Sequence, residues 1–185
     1  DEAVAHPTAN TLSAGLAMGQ ARGASRRALL RAVALGNDIT CRLGLAIRGS
    51  LYEYPWTRPP IIGIFGATAA ASAMLELAPE DTASAFGFTL HQAANTLECL
   101  YATGSEVRGL RDGFSARNGV TAACMAQAGI RGDRSALEGR FGVFQAYFRG
   151  KDLPERLTDA LGRRYEGARV SIKRWPSARE SHATL

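Results

Sequence analysis

The sequence predicts an all-α, multihelical domain, and three observations carry that reading. Apolar residues recur at steps of three and four along most of the chain, residues that start and stop helices punctuate it at suitable intervals, and period-two alternation occurs only once, near the C-terminal end. With 185 residues, 46% of them apolar, the chain is long enough to bury a sizeable single core.

Taken in order, the first helix runs from Thr11 to about Ala21, with Leu12 and Leu16 on one face and Gly15 and Gly19 among small neighbours. Ser25 is placed to cap the next helix, where Leu29, Val33, Gly36, Thr40, Leu43 and Ile47 form one stripe. The prolines between Gly49 and Pro60 remove backbone donors and restrict the residues before them, which predicts a loop. An alanine-rich helix follows over Ile62–Leu77. Another opens at Pro79-Glu80-Asp81, with proline and acidic residues in its first turn and Phe86, Leu90 and Ala93 or Ala94 facing inward. Tyr101 to Asp112 reads as irregular, Phe114 to Ala128 as helix, Leu137 to Phe148 as a broken helix, and Leu153 to Leu161 as a short helix stopped by Gly162. The alternation Ala168-Arg169-Val170-Ser171-Ile172-Lys173 predicts a strand. The boundaries that result are a multihelical domain over 1–167, incomplete on its N-terminal side, and the start of an α+β domain over 168–185. Gly15, Gly19, Gly36 and Gly44 are expected where helices cross closely.

Charge and cysteine usage narrow the function. The net charge of +5 and a pI near 9.5 raise nucleic acid as a partner, but the 22 lysines and arginines are dispersed and no aromatic-interleaved basic run occurs, so small anions account for the balance better. The least charged stretch, Pro59 to Leu75, is interrupted by prolines and glycines, and no membrane span is expected; mean hydropathy is −0.10. Cys41, Cys99 and Cys124 stand far apart without metal-ligand or redox spacing, which fits reduced core residues of a cytoplasmic protein. No secretory h-region is present, and both ends read as cuts in a longer chain.

Four blocks of residues, in order, carry a family resemblance. They are His6-Pro7-Thr8 leading into a small-residue helix; Gly63-Ile64-Phe65-Gly66-Ala67-Thr68 with Leu75-Glu76-Leu77; Gly104-Ser105-Glu106-Val107-Arg108-Gly109-Leu110-Arg111-Asp112-Gly113 running on to Gly129; and Ile172-Lys173-Arg174-Trp175-Pro176 with His182 behind. Together they resemble the MmgE/PrpD (2-methylcitrate dehydratase) family. The resemblance implies a homodimeric enzyme without cofactor or metal, with a large helical domain and a smaller α+β domain. Such an enzyme removes or shifts a proton next to a carboxylate on a small di- or tricarboxylate, as a dehydratase, decarboxylase or epimerase.

That chemistry needs a base near the working pH and cations that hold carboxylates. His6, before a proline at a helix entrance, is the expected proton-transfer residue, and Lys173, closing an apolar segment, is the second catalytic candidate. Thr57, Arg108, Arg111 and His182 are the expected substrate-binding residues, Thr57 as a hydrogen-bond donor. His91 is read as structural, Tyr147, Phe148 and Trp175 as packing, and Glu106, Asp112 and Asp38 as ordinary solvated or salt-bridged carboxylates. The chain departs from the family pattern at Pro55, where relatives carry histidine, and at Arg108 and Arg111, where they carry lysine and histidine. Arginine stays protonated, so it binds carboxylates bidentately and does not act as a base. These replacements leave open a non-catalytic helical carboxylate-binding protein of the same fold. The base at His6 is expected to need a carboxylate partner from residues ahead of Asp1, and the chain by itself to be inactive.

Overall fold

A computed structural model describes residues 2–50 and 53–184. Leu51 and Tyr52, part of the expected loop, lie outside the described residues. Of the described residues, 62% are helical.

Helix α1 spans Pro7–Arg22, with proline at its first position and Gly23 closing it in the left-handed conformation (φ 60°). Helix α2, Arg26–Ala46, begins as expected at Ser25, whose Oγ accepts from the Ala28 N–H at 3.2 Å. Helix α3, Arg58–Met74, is buried almost all round, as a helix apolar on every face must be. Pro59 and Pro60 stand in its first turn, where they cost no hydrogen bond, so α3 begins inside the stretch expected to be a loop. Helices α4 (Pro79–Gln92), α5 (Glu98–Tyr101), α6 (Val107–Gln127), α7 (Val143–Phe148) and α8 (Glu155–Thr158) complete the order. α3 is the centre of the bundle and packs against α1, α2, α4 and α6.

Glycine sets how closely these helices approach. A methyl group at Gly36 would sit 2.6 Å from Thr11 Cγ2 of α1. One at Gly66 would overlap Thr40 Oγ1 of α2 and lie 2.6 Å from the Gly36 carbonyl oxygen, and one at Gly119 would meet Ala67 Cβ of α3 at 2.8 Å. Gly15 faces Leu29 and Val33 of α2, and Gly19 faces Met74 of α3. Gly44 differs from the expectation: it abuts the backbone of Ala3, in the segment before α1. The principal core cluster lies at one end of the bundle, where Leu43, Ile61, Ile62, Ile64 and Phe65 pack with Val143, Phe144 and Phe148.

A buried ion pair ties the C-terminal segment to this bundle. Arg42 Nε donates to Asp38 Oδ2 at 2.7 Å, and its remaining nitrogens donate to the carbonyl oxygens of Leu157, Asp159 and Arg164. Asp38 Oδ1 in turn accepts from the Glu166 N–H at 2.6 Å. The buried Glu166 carboxylate is held below the usual carboxylate range by Arg164, which donates to it at 2.6 Å, with Arg169 adding to the effect.

Several expectations are corrected here. Leu12 and Leu16 point outward, and Asn10, Thr11, Ala14, Gly15 and Met18 form the inner face of α1. Helix α6 begins at Val107, well before Phe114, so Arg108 and Arg111 are helical; Gly109 and Gly113 disguise this start by lowering local helix propensity by about 1 kcal/mol each. The expected strand does not form. Glu166–Arg169 is a 3-10 helix fixed by the Asp38 contact, and the residues after it have no ladder partner among the described residues, with Ile172 95% exposed. Extended pairing is confined there to the isolated bridges Ile47–Asp152 and Trp56–Thr96. Of the cysteines only Cys41 is a core residue; Cys124 is exposed.

Gly66→Ala tests the glycine crossing. An exposed helical site would gain about 1 kcal/mol from this change, but here the methyl group collides with α2, and overpacking of about 1–3 kcal/mol should prevail. A lower urea midpoint with unchanged slope is expected.

Candidate functional site

The proline at the head of α1 fixes the first functional side chain. Pro7 keeps His6 out of the α region (φ −121°, ψ 68°), so the chain turns sharply and His6 stands at the helix mouth. There it borders a cleft of about 780 Å³. The segment before α1 forms one wall and the start of α3, with Thr57 and Pro59, another. Leu97 and Leu100 add an apolar side, the first turns of α6 supply Arg108 and Arg111, and residues 170–179 close the far side with Lys173 and Arg179.

Five of the six expected site residues therefore meet at one cleft: His6, Thr57, Arg108, Arg111 and Lys173. Arg108 and Arg111 are brought together by helical geometry, being three residues apart on α6. Their environments differ. Arg108 is exposed at the rim, whereas Arg111 is 2% exposed, and its Nε makes no hydrogen bond; the Asp112 carboxylate oxygen next to it is 3.6 Å away. Lys173 is exposed rather than desolvated, and its Nζ donates to the Ser177 carbonyl oxygen at 2.9 Å. Thr57 is buried, and its hydroxyl donates to Asn95 Oδ1 at 3.0 Å instead of into the cleft. His182 is not among the lining residues. Its ring meets Trp175 edge-on at 5.4 Å, and its Nε2 is buried without a partner.

Among the described residues, none that lines the cleft carries a carboxylate. Partial burial of His6 lowers its pKa below the ordinary imidazole value; the Asp112 charge opposes this shift, and Arg111, Lys173 and Arg108 reinforce it. His6 retains contact with solvent, so it is a neutral imidazole open to the cleft. A neighbouring pocket of about 290 Å³ shares Ala5, Pro7, Val170 and Ser171 with the cleft and reaches Cys41. Burial pushes the Cys41 thiol up to about 11, which makes it a poor nucleophile. His91 lies elsewhere, on the surface, paired with Asp133 at 2.7 Å.

Asp112, read as a solvated or salt-bridged carboxylate, stands beside Arg111, its Oδ2 3.6 Å from the Arg111 Nε. Sequence reasoning missed one neighbour of this pair. Asn10, fully buried, reaches Asp112 Oδ1 at 3.5 Å through its Nδ2. The available signal was spacing: Asn10 follows His6 by four residues, one helical turn.

The fold is a multihelical domain with a cation-walled cleft and an imidazole at its mouth. The chain belongs to the MmgE/PrpD family, whose N-terminal domain matches residues 1–156. It is similar to the cis-aconitate decarboxylase-like protein oryM of Aspergillus oryzae, with 31% identity over 151 residues covering 78% of this chain and 31% of that protein. It is also similar to cis-aconitate decarboxylase of Aspergillus terreus, with 28% identity over 152 residues and the same coverage. The chain thus spans 31% of the length of these relatives. No helix among the described residues is long and apolar enough to cross a membrane.

The lowered His6 pKa has a stability consequence. Between the folded value and the unfolded one near 6.5, the unfolded state binds more protons, so stability rises with pH through that window and levels off above it. His6→Gln should remove this part of the pH dependence, read as the difference in urea midpoints between the two proteins from about pH 5 to 7.

Proposed function

We propose that this chain contributes the helical side of an active site in a lyase or isomerase that transfers a proton next to a carboxylate on a small di- or tricarboxylate. One observation carries the reading: the buried Arg111 guanidinium borders the cleft together with Arg108 and Lys173, in a wall that holds, among the described residues, no carboxylate. Like charges gathered at one cleft oppose one another, so the arrangement makes physical sense when an anion joins them. Family membership and similarity to the cis-aconitate decarboxylase of Aspergillus terreus support a tricarboxylate.

In this reading His6 is the base. It is neutral near pH 7, as proton abstraction requires. Arg111 clamps one carboxylate from the floor of the cleft, Arg108 and Lys173 attract a second from the rim, and Leu97 and Leu100 flank the carbon skeleton. Thr57 acts through its orientation by Asn95. His182 joins only if the segment after Trp175 turns its buried Nε2 toward the cleft. A homodimer, a cytoplasmic location and the absence of a cofactor are part of the same proposal.

A binding protein without catalysis is the second reading, favoured by arginine at 108 and 111, since neither side chain can relay a proton. Incubation of the purified full-length protein with cis-aconitate or citrate in deuterated water separates the two. Exchange of the proton next to a carboxylate is expected; thermal stabilisation by the ligand without exchange would leave only binding, and neither effect would end the proposal.

Burial ranks the two arginines. Arg111→Gln should weaken binding of a non-reactive tricarboxylate by about 2–5 kcal/mol, the range for truncating a buried hydrogen-bonded charge. Arg108 is exposed, so Arg108→Ala should cost about 1 kcal/mol or less, and Arg108→Lys should recover most of that. Isothermal titration of the three variants measures the order; equal losses at both positions would contradict it.

A further inference from the structure

Helix α6 carries two glycines that no contact among the described residues explains. Gly109 and Gly113 lie within the helix without a left-handed backbone, and a methyl group at either would meet nothing within 4 Å. Gly119, on the inward face of the same helix, is different, since there a methyl group would strike Ala67 of α3. Glycine is the least favourable residue in a helix interior after proline. The turns that carry Arg108 and Arg111 are thus weakened twice, and no neighbour in the fold uses the space.

The side chains beside these glycines are exposed although they are large and apolar. Leu110 is 55% exposed and Phe114 43% exposed. Glu106, Gly113 and Arg117 are exposed as well, and helical spacing puts them with Leu110 on one face of α6, turned away from the buried Ser115 and Gly119. A bare stretch of backbone flanked by two large apolar side chains suits the close packing of a second helix.

The order of the residues identifies that helix. In a contact about a two-fold axis every pairing occurs twice, residue i of one copy meeting j of the other and j meeting i. Let two α6 helices cross antiparallel with the axis passing between residues 111 and 112. Leu110 then faces Gly113 of the second copy, Phe114 faces Gly109, and Glu106 faces Arg117. One choice of axis sets large against small and negative against positive at all three pairings.

We propose that the exposed face of α6 is a homodimer contact, in which two copies of the chain cross antiparallel over Gly109 and Gly113 with Glu106 and Arg117 paired at its edges. Arg108 and Arg111 stand on the same turns, so the contact supports the cleft wall from outside. The inference rests on the homodimer of the functional reading and not on its chemistry.

Sedimentation of the purified full-length protein tests it, and a dimer is expected. Leu110→Glu puts a carboxylate over the glycine of the second copy and should raise the dimer dissociation constant by at least about tenfold. Glu106→Arg and Arg117→Glu should each weaken the dimer by about tenfold, because each sets like charges together twice across the axis. The double variant should return to the parent value, a recovery that loss of folding cannot imitate. A monomeric parent would overturn the proposal and leave another segment of the same polypeptide to cover α6. A dimer indifferent to Leu110→Glu would overturn it too, as would charge reversals that the double variant does not rescue. Proton exchange is read on the same protein, and its absence in a dimer that responds to these variants would end the chemical reading alone.

Discussion

A buried charge must be answered where it sits, and Arg42 shows how far that requirement reaches. Its guanidinium is 1% exposed. Removing either partner of such a pair leaves an uncompensated charge in the interior, which costs about 3–5 kcal/mol. Asp38 answers the charge, and the carbonyl groups of Leu157, Asp159 and Arg164 satisfy the remaining donors. Those carbonyl groups belong to a stretch with little regular structure, so the ion pair determines where that stretch lies. Residues 170–179 continue from it and close the cleft. The site wall is therefore a consequence of electrostatic satisfaction more than 100 residues away in sequence.

The opposite wall depends on the absence of side chains. Gly36, Gly66 and Gly119 let α1, α2, α3 and α6 approach until backbone touches backbone or β-carbon. Close approach places the entrance of α1 beside the first turns of α6, and this brings His6 and Arg111 to one cleft. Glycine lowers helix propensity in each of these helices, and tertiary packing compensates.

What the sequence revealed divides along the same physical line. Helices with strong local signals were legible: Ser25 caps α2, Pro79 opens α4, and the small-residue helix α3 is central. The meeting of His6, Thr57, Arg108, Arg111 and Lys173 was legible only through family resemblance, because no spacing in the chain brings residues 6 and 111 together. The start of α6 was hidden by Gly109 and Gly113, whose local preference opposes the helix that packing imposes. The apparent strand at 168–173 had correct alternation but no neighbour to pair with among the described residues, and alternation alone does not supply one. The burial of Arg111 beside Asp112 was not legible, because burial is a tertiary fact.

The cations of the cleft stand at two depths, and this separates arrival from retention for any anion that enters. Arg108 and Lys173 are at the solvent-exposed rim, where their fields extend about one Debye length, some 8 Å at physiological ionic strength, and act on a molecule still in free diffusion. Arg111 lies deeper, sheltered from dissolved salt, and in the proposed reading would govern how long the anion stays. Salt should therefore slow capture while leaving the dissociation rate nearly untouched, a division of labour written into one turn of helix.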